Sequence, residues 1–266
     1  MDIKATVTDM RKDIVRMTYN AGFRGAHLGG SLSCVEILAV LYCELMRYDT
    51  ANPLWEYRDR FILSKAHGAM CLYTALKQVG FLTQMDIDEA LSDGSFLCEH
   101  PCMNRKMGIE MSGGSLGQGL SFGVGTAIAL KKRHINTSKV YVLVGDGECN
   151  EGQIWEAAAT ASHYCLDNLV VIVDENGLQF DGTTKKVQSG YKLEDRWRGI
   201  GFSTHIVNGH DIDALHNVLK AVDIKPKAVI AKTVKGKGVT FAENNVEWHS
   251  KFLTKESYEK ALGELE

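Results

Sequence analysis

Two runs of aliphatic residues in the middle of the chain flank a segment with helical spacing. The runs cover residues 140–144 and 169–173 and are rich in valine, leucine and isoleucine. The apolar residues between them recur at the spacing of one helix face: Ile154, Ala157, Ala158, Ala161 and Cys165. Short β-branched runs separated by a helical segment predict a strand-helix-strand unit with parallel strands.

A polar cluster follows each of these two predicted strands. The clusters are Gly-Asp-Gly at residues 145–147 and Asp-Glu-Asn-Gly at residues 174–177. Adjacent parallel strands end at the same edge of a sheet, and open α/β sheets bind ligands at that edge. We therefore expect a binding site that contains Asp146 and Asn176.

The rest of the chain repeats the pattern of strand, polar turn and helix. The spacing predicts helices over residues 3–21, 33–46, 69–79 and 212–222, a glycine-rich helix from about residue 115, and strands over 59–64, 203–208 and 228–233. This succession predicts an α/β fold: a doubly wound, mostly parallel sheet of about five strands with helices on both faces. We expect one domain over residues 1–266, with a C-terminal extension after about residue 240.

Composition and charge narrow the classes of function. With 266 residues, of which 45% are hydrophobic, the chain can bury a full core. A net charge of -3 gives no basic field for nucleic acid or an acidic membrane surface. The seven cysteines have irregular spacing, which favours reduced thiols over a disulfide framework. Without an apolar run of signal-peptide or membrane-spanning type, we expect a cytoplasmic protein.

The side chains expected at the sheet edge are hard oxygen donors. The Asp146 carboxylate, the Asn176 amide oxygen and a nearby backbone carbonyl would provide three ligands for a magnesium-sized cation, with further positions left for a diphosphate and water. Glycines on both sides of Asp146 allow a phosphate to approach the backbone. The alternative is plain turn chemistry, because Asp-Gly and Asn-Gly pairs are common in turns.

Gly-Asp-Gly at one strand end, with asparagine closing the next strand, resembles the thiamine diphosphate fingerprint of the transketolase-like enzymes. The resemblance implies that Asp146, Asn176 and the backbone carbonyl of Leu178 bind Mg²⁺, or Ca²⁺ or Mn²⁺ in its place. It also implies thiamine diphosphate contacts from three neighbouring residues: Gly145, Gly147 and Glu148.

Three histidines lie in loops that resemble transketolase segments. His27 precedes LGGSLSCVEIL, which is similar to the segment where a histidine reaches the substrate. His67 lies in DRFILSKAHGAM, which resembles the family corner whose histidine contacts the cofactor diphosphate. His100 belongs to an HP dipeptide followed by GGSLGQG, and the family histidine there faces the substrate. In that loop, the resemblance implies backbone contacts to the aminopyrimidine at Gly114 and Leu116.

The segment around His100 also allows a different chemistry. Cys98, His100 and Cys102 are potential soft-donor ligands, and with a fourth residue they would suit zinc. Their alternate spacing differs from that of zinc knuckles, and no second cysteine pair lies nearby.

Two features near the carboxyl terminus complete the set of candidates. Lys235 begins the segment KGKGV, which is typical either of a solvated loop or of a flap near an anionic ligand. The tripeptide at residues 248–250, WHS, resembles the late family histidine near the diphosphate. His249 is therefore implied to contact both cofactor and substrate.

The motif around Glu151 indicates that a second chain completes the site. It lies in GDGECNEG and resembles the family glutamate that faces the cofactor-activating glutamate of the neighbouring subunit. Transketolases carry that activating glutamate on a pyrimidine-binding domain, which the few residues after Phe252 cannot form. The resemblance therefore implies the amino-terminal subunit of a split transketolase, completed by a C-terminal subunit in an α2β2 heterotetramer. The glycine-rich helix would pack either on the sheet or at a subunit interface.

The implied reaction is the transfer of a two-carbon ketol unit from a ketose or ketose phosphate to an aldose. His27, His100 and His249 are the implied catalytic residues, and thiamine diphosphate is the electron sink. Two alternatives are an α-type subunit of a 2-oxoacid dehydrogenase and a non-catalytic thiamine diphosphate-binding subunit. A third, a nicotinamide-binding Rossmann domain, is disfavoured because the glycine pair at residues 145 and 147 lacks the third glycine of that motif.

Overall fold

The computed structural model describes residues 2–188 and 192–266. Its strands are β1 (Arg60–Leu63), β2 (Val140–Gly145), β3 (Leu169–Glu175), β4 (Leu178–Gln179), β5 (Gly182–Thr183), β6 (Ser203–Asn208) and β7 (Lys227–Lys232). Its α-helices are α1 (Ile3–Asn20), α2 (Leu28–Leu32), α3 (Val35–Val40), α4 (Ala69–Gln78), α5 (Gln84–Asp88), α6 (Gln118–Lys132), α7 (Gly152–His163), α8 (Thr184–Val187), α9 (Leu193–Gly199), α10 (Ile212–Lys220) and α11 (Lys255–Glu264).

A parallel sheet forms the centre of the described residues. Its strand order is β1-β2-β3-β7-β6, and all of its neighbouring strands are parallel. The predicted strand-helix-strand unit is confirmed, because α7 joins β2 to β3 and these strands pair in register up to Gly145 and Asp174. The two polar clusters therefore end adjacent strands, as the sequence predicts.

Side chains of the sheet alternate between two hydrophobic cores. Leu143 and Ile172 belong to one core, which also contains residues of α1, α3, α4 and α10. Val142 and Val171 belong to the other core, with residues of α6, α7 and α9. A strand that is buried on both faces requires helices on both sides of the sheet, so the doubly wound α/β prediction is confirmed.

The prediction of one helix over residues 33–46 is wrong at its start. Helical structure begins earlier, at α2, with His27 as the residue before it, and it breaks at Ser33 and Cys34 before α3. The break lets the Ser33 hydroxyl donate to the buried Asp174 carboxylate at 2.6 Å. A single π-helical turn, Leu41–Leu45, then replaces the predicted last turn of α-helix.

Other differences lie at chain turns. A 3₁₀ turn covers Glu148–Asn150, and α7 begins after Glu151. The short β4–β5 ribbon and helices α5, α8, α9 and α11 carry no strong periodicity and were not predicted.

The last helix, α11, packs on α1, where the rings of Tyr19 and Tyr258 stack with 4.3 Å between their centroids. None of the helices within the described ranges has the length and apolarity needed to cross a membrane.

Candidate active site

The carboxyl edge of the sheet contains a cavity of about 410 Å³, a size typical of small-molecule sites. We call it the site cavity. Every residue that the sequence analysis assigned to the site lines it: His27, His67, His100, Gly114, Leu116, Gly145, Asp146, Gly147, Glu148, Glu151, Asn176, Leu178 and His249. Residues far apart in the chain thus meet in one place, and their individual roles stay predictions.

Asp146 and Asn176 lie together at one end of the site cavity, where backbone amides donate to their side-chain oxygens. The Asp146 carboxylate accepts from Gly147 N at 2.9 Å and from Gly177 N at 2.7 Å. The Asn176 Oδ1 accepts from Leu178 N at 3.1 Å. Burial, and then the nearby Asp174, raise the pKa of Asp146 to about 7. A buried carboxylate of this kind is stabilised in its charged form by a bound cation.

The donor set at this end of the cavity fits a hard divalent cation. It comprises one carboxylate, one amide oxygen and one backbone carbonyl, at Asp146, Asn176 and Leu178. Mg²⁺ prefers such oxygens and usually retains positions for phosphate oxygens and water. Within the described part of the chain, this end of the cavity included, His, Cys, Asp and Glu side chains form no group of three or more that could hold a metal ion, so the proposed ligand set depends on the Asn176 amide and the Leu178 carbonyl. Cys98, His100 and Cys102 belong to no such group, so nothing supports the zinc alternative.

A buried ion pair that sequence reasoning missed lies beside Asn176. The Lys65 ammonium donates to the Asp174 carboxylate and, at 2.8 Å, to the carbonyl of Gly30. Burial alone would lower the pKa of Lys65, but the adjacent Asp174 outweighs it and the pKa is raised. Asn176 Nδ2 also donates to Asp174, at 3.4 Å. The pair therefore joins the predicted metal ligand to the loop that carries His27.

Lys235, for which the sequence left a solvated loop and a flap as alternatives, has a direct part in the geometry. Its side chain is buried, and its ammonium lies 3.3 Å from the carbonyl of Leu178 and 2.8 Å from Nδ1 of His249. Burial, and then the charge of Lys65, lower the pKa of Lys235 to about 8. Lys65 and Lys235 both line the site cavity, and the Lys235 ammonium, whose hydrogen-bond partners are a carbonyl and an imidazole, makes the cavity suitable for an anion. The sequence contained a signal for it, since the KGKGV segment allowed a flap near an anionic ligand.

The glycines around His27 are explained by what packs against them. A Cβ on Gly29 would lie 2.9 Å from the carbonyl of Trp248, and one on Gly30 would lie 2.7 Å from the ring of His67. Real side chains do not tolerate contacts this short. The GG pair therefore allows three separate loops to meet at His27.

Gly25 likewise allows the carboxyl-terminal loop to pack closely against the segment that carries His27. It has a φ of 68°, and a Cβ there would lie 2.7 Å from the backbone of Lys251. Next to it, Ala26 and Lys251 exchange backbone hydrogen bonds at 3.2 Å. This contact brings His249 to His27, with 5.4 Å between the ring centroids.

Four imidazoles surround one part of the site cavity. The ring of His27 lies 5.7 Å from that of His67 and 5.5 Å from that of His100, and His67 stacks on His249 at 5.3 Å. Burial lowers the pKa of His67 well below its usual range and lowers that of His249 to about 3. Those two rings are neutral at pH 7 and offer one donor and one acceptor each.

The buried Glu148 joins three loops of the site. Its carboxylate accepts from Ser64 Oγ, from Gly117 N at 2.8 Å and from Gly145 N at 3.0 Å. These protein donors occupy the oxygens that a cofactor would otherwise use. Its predicted contribution to cofactor binding is therefore to fix the loop that contains Gly114.

Comparison with known proteins gives the family. Residues 6–263 match the model of the transketolase, thiamine diphosphate binding domain. The chain is 42% identical to the 6-deoxy-6-sulfo-D-fructose transketolase subunit SqwG of Clostridium sp. (strain MSTE9), over 90% of this chain and 88% of that protein. It is 41% identical to an apulose-4-phosphate transketolase subunit of Phocaeicola vulgatus, over 96% of this chain and 90% of that protein.

A solved structure and a longer relative give the same family. A transketolase from Leishmania mexicana matches with a TM-score of 0.90 and 29% identity, over 98% of this chain and 41% of that one. Human transketolase is 37% identical over 99% of this chain and 42% of its own length. The chain therefore spans about two fifths of these longer enzymes and nearly all of the separate subunits. It belongs to the transketolase family as an amino-terminal, thiamine diphosphate-binding subunit.

Proposed function

We propose that this chain holds the diphosphate end of Mg²⁺-thiamine diphosphate and supplies the substrate-facing histidines of a two-chain transketolase. The observation that carries the proposal is the site cavity itself, where oxygen donors, buried lysines and four imidazoles line a single space. The bound cofactor would supply the electron sink for cleavage and formation of a carbon-carbon bond.

The proposed roles of the residues follow from their positions. Asp146, Asn176 and the carbonyl of Leu178 would hold the metal, which in turn binds the diphosphate. Lys235 lies beside that carbonyl and would move to the diphosphate, since its present partners are a carbonyl and a neutral imidazole. His67 would donate to the diphosphate from its neutral ring.

His27, His100 and His249 would serve the substrate. Their rings line the site cavity, and His27 contacts both of the others. Imidazoles in such a site can take a proton from a sugar hydroxyl or donate to a developing alkoxide. The backbone at Gly114 and Leu116 would contact the aminopyrimidine.

The missing half of the site would come from a partner chain. We propose a C-terminal, pyrimidine-binding transketolase subunit that assembles with this chain as an α2β2 heterotetramer in the cytoplasm. Glu151 lies at the rim of the site cavity, where it would face the partner's cofactor-activating glutamate. The names of the two relatives, with their phosphorylated and sulfonated sugars, favour an acidic ketose as donor.

A reconstitution experiment tests this function. The chain would be co-purified with its pyrimidine-domain partner, and the pair screened against ketose phosphate donors and aldose acceptors with Mg²⁺ and thiamine diphosphate. We expect ketol transfer from the pair and none from either chain alone. Transfer by the purified single chain, or decarboxylation of 2-oxoacids by the pair, would refute the proposal.

A substitution separates catalysis from mere cofactor binding. His100→Ala in the reconstituted pair should lower kcat by about 10²-fold or more, the usual contribution of a positioned acid or base, while the affinity for the cofactor changes little. His163→Ala is the matched control, because His163 is exposed on α7. Unchanged turnover in the His100→Ala pair would favour the non-catalytic binding role.

A further inference from the structure

One carboxylate faces the histidine at the centre of the imidazole cluster. Oε1 of Glu99 lies 2.8 Å from Nδ1 of His27. Glu99 directly precedes His100 on its loop, whereas His27 is the residue before α2. The contact places a carboxylate oxygen beside an imidazole nitrogen without the alignment of a good hydrogen bond. It joins two of the loops that line the site cavity.

Among the groups of the described residues that act on His27, Glu99 is the one negatively charged hydrogen-bond acceptor. The others are imidazoles and an ammonium. They are the rings of His67, His100 and His249 and the ammonium of Lys235. Burial lowers the pKa of His27, Glu99 opposes this, and His100 and Lys235 lower it further. The net shift is downward, so the ring is neutral at pH 7 and carries its single proton on one of two nitrogens.

The position of Nδ1 decides which nitrogen that is. Nδ1 is buried, although 17% of the His27 side chain remains exposed. The exposed part of the ring is therefore made up of other atoms. A carboxylate beside Nδ1 attracts an N–H and repels a lone pair, so the proton belongs on Nδ1 and the lone pair on Nε2.

We propose that Glu99 is a positioning residue that holds the proton of neutral His27 on Nδ1 and so leaves Nε2 as an acceptor for a substrate hydroxyl. This inference rests on the ketol-transfer function proposed above. It assigns His27 as the base among the three substrate-facing histidines. In water, by contrast, a neutral imidazole favours the Nε2–H form, which would present a donor at that place.

The proton balance follows directly. The O–H bond of the substrate breaks, a new N–H bond forms at Nε2 of His27, and the electron pair stays on the substrate oxygen. His27 is then an imidazolium that keeps its Nδ1 proton, and Glu99 stabilises its charge without becoming protonated, as carboxylates do in catalytic triads. The proton at Nε2 returns to the product in the second half of the transfer.

The first test uses the chain alone and needs no activity. Long-range ¹⁵N–¹H correlation spectra of the ¹⁵N-histidine-labelled protein report the tautomer of each ring, and a His27→Asn variant assigns the signal. We expect the Nδ1–H form in the native chain and a shift to the Nε2–H form in Glu99→Leu. Glu99→Gln keeps an acceptor and should retain the native tautomer in part. An Nε2–H form in the native chain, or no change in Glu99→Leu, would overturn the proposal.

The second test uses the reconstituted two-chain enzyme. Glu99→Leu should lower kcat about tenfold or more, and it should lower the apparent pKa on the acidic limb of the pH profile because the His27 imidazolium loses its counter-charge. Glu99→Asp keeps a carboxylate and should recover part of the rate. Glu89→Leu is the matched control: Glu89 is an exposed carboxylate that also precedes His100 in the chain, and its substitution should leave the native rate unchanged. A native rate and pH profile in Glu99→Leu would contradict the inference.

The two tests distinguish a failure of the proposed function from a failure of the role assigned to Glu99. If the native pair shows no ketol transfer, the proposed function fails, while the tautomer spectra still decide whether Glu99 fixes the ring of His27. If the native pair is active and the spectra of Glu99→Leu are unchanged, only the role of Glu99 is refuted.

Discussion

At the scale of single residues, Gly30 allows the segment that carries His27 to pack against the ring of His67. A Cβ at this position would lie 2.7 Å from Cδ2 of His67, whose ring is itself packed against His249. Forcing an extra methyl group into a packed site costs about 1–3 kcal/mol. Gly30→Ala should therefore destabilise the chain by that amount in a denaturant titration and weaken cofactor binding as His67 is displaced.

Gly263→Ala is the matched control for this substitution. Gly263 also lies in a helix, α11, but nothing lies within 4 Å of a Cβ built there. Alanine is a better helix former than glycine, so the control should be neutral or stabilising by up to about 1 kcal/mol. Similar losses in both variants would mean that the contact with His67 is not what excludes a side chain at Gly30.

The residue types of the site could be predicted, but the contacts between them could not. Asp146, Asn176 and the histidines stand in motifs where strand ends and glycine loops mark a ligand edge. Lys65 and Asp174 also lie in those motifs, yet their pairing joins positions that are far apart in sequence. Glu99 was missed because a single carboxylate in an irregular loop has no periodicity or spacing to mark it.

At the scale of elements, the glycines of α6 have two separate uses. A Cβ on Gly119 would lie 2.6 Å from Cα of Ser64, and one on Gly123 would lie 2.5 Å from Val142, so these two let α6 pack closely on the sheet. Gly125 lies on the exposed face, where nothing would meet a Cβ. Gly119 and Gly123 therefore account for the first of the two predicted alternatives, packing on the sheet. The second alternative, a subunit interface, stays a proposal and would involve Gly125.

Gly125→Ala tests that interface. In the isolated chain the substitution should raise the free energy of unfolding by up to about 1 kcal/mol, because alanine favours the helix. If this face of α6 packs closely on the partner subunit, the same variant should bind the partner more weakly in a titration. Stronger or unchanged partner binding would place the interface elsewhere, and Gly119→Ala should destabilise the chain in either case.

The buried pair of Lys65 and Asp174 joins the end of β1 to β3 across β2. Removing one partner of a buried pair costs about 3–5 kcal/mol, because a charge is left without compensation. Lys65→Met should show a loss of that order in equilibrium unfolding. The double variant Lys65→Met/Asp174→Leu should recover part of it, and a double variant as unstable as the sum of the single ones would contradict the coupling.

The sheet could be predicted from sequence because its strands are buried on both faces and read as continuous aliphatic runs. The break between α2 and α3 could not, since it depends on Ser33 reaching Asp174 from another part of the chain. Short elements such as the β4–β5 ribbon were also missed. Two residues on each strand are too few to show alternation.

At the scale of the whole molecule, two partly buried histidines give the free energy of unfolding a defined pH dependence. The folded pKa values of His67 and His249 lie below 6.5, the ordinary value, and that of His249 is about 3. Between these values the unfolded chain binds more protons than the folded one. The stabilisation is therefore complete above pH 6.5 and is lost progressively as the pH falls below it.

Thermal unfolding between pH 7.5 and pH 5 measures this effect. The native Tm should fall with pH more steeply than that of the double variant His67→Asn/His249→Asn, in which the two groups cannot titrate. The comparison matters because the raised pKa of Asp146 acts in the opposite direction. Equal slopes for both proteins would show that the histidines are not the source.

The central claim is that this chain forms one half of a thiamine diphosphate site and that a second chain forms the other. Calorimetric titration of thiamine diphosphate with Mg²⁺ into this chain, into its partner and into their mixture tests it most directly. We predict binding to the mixture that is at least tenfold tighter than to either chain, and lost in a mixture that contains Asp146→Ala but not in one with the exposed Asp9→Ala. Equally tight binding by the single chain, or full binding by the Asp146→Ala mixture, would contradict the account.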